Sequence, residues 1–113
     1  HTITIPIGAW DVFIQGKAGA RKASTNFSDI KVTLSTANNT ESDADMTAYV
    51  YEENTNAAAS HAIHVAFHRR KTFVLASKTQ YYLNVYTTLA SGNLLQLDGV
   101  ASTTIMEATC AYL

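Results

Sequence analysis

The run Ile3-Thr4-Ile5-Pro6-Ile7-Gly8-Ala9-Trp10-Asp11-Val12-Phe13-Ile14-Gln15 decides the fold class. Ile3, Ile5 and Ile7 alternate with polar or small residues and stop at Gly8. Alternation then resumes with Trp10, Val12 and Ile14 on one side and Asp11, Phe13 and Gln15 on the other. A period of two belongs to a strand with one face in a core, because successive side chains point to opposite sides of a sheet. The same period recurs in Ile30-Val32-Leu34, in Met46-Ala48-Val50 and in Ile63-Val65-Phe67. It returns in Tyr81-Leu83-Val85 within the strong run from Gln80 to Leu89, and a last strand runs from about Thr103 to Leu113. Thr72 to Ala76 and Leu94 to Leu97 read as shorter strands.

Turn signals separate these runs. Gly16-Lys17-Ala18-Gly19, Ser91-Gly92-Asn93 and Asp98-Gly99 read as turns, and the polar, acidic stretch from Thr36 to Asp45 reads as an exposed loop. Glu52 to Ser60 fits either a loop or one helical turn. Eight to nine short, regularly spaced strands predict an all-β chain, a two-sheet β-sandwich or jelly roll, with residues 1–113 forming a single domain. Cys110 is the lone cysteine, so the Cys–Cys–Trp arrangement of antibody domains is absent, as is any internal disulfide.

Composition narrows the function classes. With 8 basic against 9 acidic side chains the net charge is -1, which gives no electrostatic footprint for nucleic acid or anionic lipid. Charged residues are 15% and hydrophobic ones 47%, a balance that disfavours disorder. No run reaches the ~18 apolar residues of a membrane helix, and no basic start leads into an apolar stretch. The chain opens at His1 inside a strand-like run, which predicts a piece of a longer or processed protein.

The faces opposite the core are unusual. Tyr49 and Tyr51 share one, Tyr82 and Tyr86 share another, and Phe13 opposes Val12. Gathered on one sheet, such rings would expose too much apolar area to water. Tyrosine suits a subunit interface or a sugar site, since its ring buries area while its hydroxyl keeps a hydrogen-bond partner. Scattered surface tyrosines are the plainer reading.

Candidate chemistry is sparse. His61, His64 and His68 invite a metal, yet Ile63, Val65 and Phe67 make the segment a strand, on which His64 and His68 stand ~13 Å apart. Surface or interface histidines are therefore expected, with no metal and no cofactor. The loop Asn38-Asn39-Thr40-Glu41-Ser42-Asp43-Ala44-Asp45 lacks the glycine and ligand order of a calcium loop. No nucleophile elbow, phosphate loop or Cys–His signature appears, and Asp11, Asp29, Glu52, Glu53, Asp98 and Glu107 are few and dispersed. An enzyme is not expected. Arg69-Arg70-Lys71 is the one basic cluster, read either as capping a strand turn or as gripping an acidic glycan.

Three segments carry a family resemblance. The stretch Ile3 to Phe13, with its Pro6-Ile7-Gly8-Ala9-Trp10 centre, resembles the opening signature of C-terminal domains of tailed-phage tail fibres and tailspikes. Thr79-Gln80-Tyr81-Tyr82-Leu83 is similar to a late strand of the same domains, and Thr103 to Thr109 to their last. Cys110-Ala111-Tyr112-Leu113 departs from the Arg that many relatives carry there. The resemblance implies a tumour-necrosis-factor-like jelly roll, assembled as a parallel homotrimer at the tip of a virion fibre outside the host cell. It implies trimer registration, recognition of bacterial surface polysaccharide or lipopolysaccharide, or both. On that reading Phe13, Tyr49, Tyr51, Tyr82 and Tyr86 form the trimer interface. Lys17, Arg21, Asn38, Asn39, Asn54, Asn56, Arg69, Arg70 and Asn93 are the candidate ligand residues. The alternative is a purely structural trimerising cap with no ligand, any catalytic activity lying upstream.

Overall fold

A computed structural model describes residues 1–21, 30–50, 62–86, 94–97 and 104–112. Their order is β1 (Thr2–Ile5), β2 (Gly8–Arg21), β3 (Ile30–Ser35), a 3₁₀ turn (Ala44–Met46), β4 (Thr47–Val50), β5 (Ala62–Leu75), β6 (Thr79–Tyr86), β7 (Leu94–Leu97) and β8 (Ile105–Cys110). The chain is all-β. Two antiparallel sheets form, one ordered β1-β6-β3-β4, the other β5-β2-β7 with β8 also on β2. We call them sheet A and sheet B.

The alternation read in the sequence becomes the core. Ile5, Val12, Ile14, Ala18, Val32, Leu34, Met46, Ala48, Phe67, Tyr81 and Leu83 are buried in one cluster between the sheets. Removing so much apolar surface from water is the main stabilising term. Phe73 and Tyr81 close one end, ring centroids 5.2 Å apart. Ile7 breaks the expected series: it is 65% exposed, because the chain leaves sheet A after Ile5 and enters sheet B at Gly8. Gly8 makes that crossing at φ +129°, a backbone state side chains resist.

Two expected turns are instead strand interior. Gly16-Lys17-Ala18-Gly19 lies within β2, which pairs with β5 without a break from Gly8↔Leu75 to Arg21↔Ala62. Gly16 serves close approach rather than turning: a Cβ there would stand 2.9 Å from Phe67 Cζ and 2.9 Å from Thr104 Oγ1. Likewise Arg69-Arg70-Lys71 caps no turn; β5 runs straight through it into Phe73. Arg69 and Lys71 stand opposite Ile14 and Val12, on the face that looks toward sheet A. Each is satisfied across the gap. Arg69 Nε donates to Thr47 O at 2.9 Å, and Lys71 Nζ reaches Asp43 Oδ2 at 2.7 Å and Asp45 Oδ2 at 2.9 Å. Charged stems thus tie β5 to β4 and the 3₁₀ turn, their heads kept wet at the sandwich edge.

Candidate binding face

The outer face of sheet B gathers the chemistry. In β2 the outward residues are Asp11, Phe13, Gln15 and Lys17, flanked by His68, Arg70 and Thr72 of β5 and by Ile105, Glu107 and Thr109 of β8. Phe13 sits in the middle, opposite Arg70 on one side and Glu107 on the other. Its ring separates two depressions. The larger, about 450 Å³, is lined by Phe13, Gln15, Gly16, Lys17, Ala66, Phe67 and His68. The smaller, about 220 Å³, is lined by Asp11, Phe13, Arg70, Glu107 and Thr109.

The two hollows differ in charge. In the larger an ammonium, an imidazole and an amide border an aromatic wall. In the smaller Arg70 grips Asp11, its Nε 3.0 and 2.8 Å from the two carboxylate oxygens and its terminal nitrogen on Oδ2. Hydrogen bonding to Arg70 holds the Asp11 carboxyl below its ordinary value, with desolvation opposing and the guanidinium charge assisting. Asp11 is therefore ionised at neutral pH, and the bidentate pair fixes both groups in place. A half-buried ring bordered by hydrogen-bonding groups matches what a sugar offers: an apolar C–H face and a rim of hydroxyls.

The expected ligand residues are dispersed. Lys17 and Arg70 meet on this face, in strands rather than loops. Arg69 looks inward and is bonded to the Thr47 and His68 carbonyls, which removes it from any outer ligand surface. Asn38 and Asn39 stand exposed at the tip of the loop after β3, Asn39 at φ +59°, where an asparagine is tolerated. The side chain of Arg21 and all of Asn54, Asn56 and Asn93 lie outside the described residues. Gln15 and Thr109 join the face through register alone, with no local motif to announce them.

The expected interface residues divide between the sheets. Phe13 belongs to sheet B and does not share a face with the tyrosines. Tyr49 and Tyr82 both lie on the outer face of sheet A, Tyr82 opposite Thr2 and Ser35, Tyr49 opposite Lys31. The backbone register also sets Tyr86 opposite Lys31. Tyr49 is 53% exposed, its hydroxyl donates to Glu41 at 3.0 Å, and the Lys31 ammonium lies 4.9 Å from its ring centroid. Tyr51 lies outside the described residues.

Metal chemistry finds little support among the described residues, where no three His, Cys, Asp or Glu side chains are grouped to hold an ion. Asp43 and Asp45 of the acidic loop are engaged by Lys71 instead. Comparison with known proteins returned no matching family model, no matching curated protein and no matching solved structure.

Proposed function

We propose that the chain is a glycan-binding module at the distal end of a tailed-phage fibre or spike, and that it works as a parallel homotrimer of jelly rolls. The observation that carries this reading is the Phe13 wall between two polar hollows on an otherwise hydrophilic sheet face. Bacterial surface polysaccharide is the ligand class. Its sugar rings stack on Phe13, its hydroxyls bond to Gln15, Glu107 and Thr109, and its acidic groups meet Lys17 and His68.

The jelly-roll reading draws on the strand order. In such a roll a long hairpin wraps on itself, so strands pair in nested fashion. Here β3 pairs β4, β2 pairs β5 and β1 pairs β6. The trimer reading draws on sheet A, where Tyr49 and Tyr82 offer rings with polar tips suited to a symmetric interface. Sheet A then faces the threefold axis and sheet B faces the host. The three sequence segments shared with phage fibre domains point to the same assembly.

A panel of bacterial surface polysaccharides tests the binding role, with light scattering on the same samples. Phe13→Ala is expected to abolish retention on at least one glycan while the trimer persists. Tyr82→Asp is expected to give monomers, since an aromatic at an interface centre contributes ~2 kcal/mol or more. Glycan binding untouched by Phe13→Ala, or trimers that survive both Tyr82→Asp and Tyr49→Asp, would overturn the respective half. A trimer that binds no glycan at all supports the structural cap.

A further inference from the structure

The sandwich has four edge strands, and three are guarded. β5 carries Arg69 and Lys71 on its inward face. β4 lies under those same side chains, its Thr47 carbonyl accepting from Arg69. β1 has four residues and runs straight into Pro6. Short edges, inward charges and proline all discourage further pairing. β8 has none of these. Its inward residues are the half-buried Met106 and Ala108, packed against the core, and it contains no Lys, Arg or Pro.

The pairing pattern says what is missing there. β3:β4, β2:β5 and β1:β6 bracket one another around the loop after β3. Next outward come β7 and β8. Both lie along the same edge of β2, Ala18–Arg21 against β7 and Trp10–Gln15 against β8, so they are two parts of one interrupted strand. The nested mate of that strand would stand before β1 in the sequence. Among the described residues nothing occupies its place beside β8.

We propose that the outer edge of β8 receives one more antiparallel strand, formed by the polypeptide that leads into His1 in the parent protein. Direction and reach agree with this occupant. A strand antiparallel to β8 runs the same way as β2. β1 ends where β2 begins, so the added strand finishes at the end of the sandwich where β1 starts. β1 and β8 are also neighbours across the core, so a short arch joins the two. Matching β8 takes ~6 residues and the arch ~4 more, so about ten residues before His1 suffice. The groups it would pair are identifiable. Ala111 N donates to Ala9 O at 3.0 Å. In an antiparallel ladder alternate residues face the partner, so the backbone groups of Met106, Ala108 and Cys110 face outward.

Amide exchange on the parent polypeptide, compared with the 113-residue chain, tests this. The Met106, Ala108 and Cys110 amides should exchange roughly a hundredfold more slowly in the parent, with Thr109 little changed. Ala108→Pro, which removes an outward donor only, should lower the melting temperature of the parent and leave that of the 113-residue chain nearly unchanged. Equal exchange of these amides in both proteins overturns the proposal. So does protection in the 113-residue chain that grows with its concentration, which would assign the edge to a second copy.

Discussion

The two sheets treat their outer faces in opposite ways. On sheet A the outward residues Thr33, Ser35, Thr47 and Asn84 are almost wholly buried, because the segment after β3 folds back over them. Their polar atoms are matched from within. Asn84 Nδ2 donates to Ala37 O at 2.9 Å and Thr40 O at 3.1 Å; Thr47 Oγ1 donates to Asp43 O and lies 2.8 Å from Thr33 Oγ1; Ser35 Oγ accepts from Ala37 N. On sheet B no described segment crosses the outward residues of β2, and Phe13 with its polar neighbours lines open hollows. A polar residue on one sheet is thus structural glue, and on the other it is free to meet a ligand. Residue type does not separate the two cases; what lies above the sheet does.

The comparison can be broken at its strongest point first. Asn84→Ala should cost about 2–3 kcal/mol in chemical denaturation, since two buried carbonyls lose their donor. Gln15→Ala on the facing sheet should stay within about 0.5 kcal/mol. Equal costs would mean that the covering loop is not held from below. Gly16→Ala comes next, at about 1–3 kcal/mol, because the new methyl meets the Phe67 ring and Thr104 at 2.9 Å. It should also reshape the larger hollow, so glycan retention would fall with stability.

A smaller effect is expected from pH. Hydrogen bonds to Asp43 and then Asp45 raise the Lys71 pKa above 10.5, and burial raises that of Tyr81 above 10.0. The folded chain therefore keeps both protons longer than the unfolded one. Their contribution is fully present at neutral pH and is lost as pH climbs past about 10. Melting curves from pH 8 to 11 should fall off, and Lys71→Met should flatten that decline. Asp11 works in the acid range with the opposite sign. Its folded pKa lies below 3.8, so stability from the Arg70 pair persists above that value and fades as pH drops beneath it. Smallest of all, Tyr49→Phe should shift stability by no more than about 0.5 kcal/mol, because its bond to Glu41 is solvent-exposed.

The strands, the two sheets and most of the core were legible in the period-two pattern, and Val12, Ile14, Val32, Leu34 and Leu83 stand where alternation puts them. What misled were residues whose local signal has two meanings. Glycine marks both turns and close approach, and only the Phe67 ring, about 50 positions away in sequence, distinguishes them at Gly16. Adjacent charges usually mark a strand end. Arg69 and Lys71 sit mid-strand because Thr47, Asp43 and Asp45 await them from the other sheet. The candidate face was half legible for the same reason. Lys17 and Arg70 were visible as cations, but their grouping with Phe13, Gln15 and Glu107 is a product of strand register, which no short window of sequence contains.

The interruption between β7 and β8 has a consequence for variation. Leu97 pairs with Ala18 and Ile105 with Gln15, so the anchors of residues 98–104 are three β2 positions apart, or ~10 Å. Chain inserted between two such fixed posts lengthens a closed excursion without moving either post, and doubling its length costs only ~0.6 kcal/mol in closure entropy. Such a place lets a lineage try new sequences at its rim while the scaffold beneath stays constant.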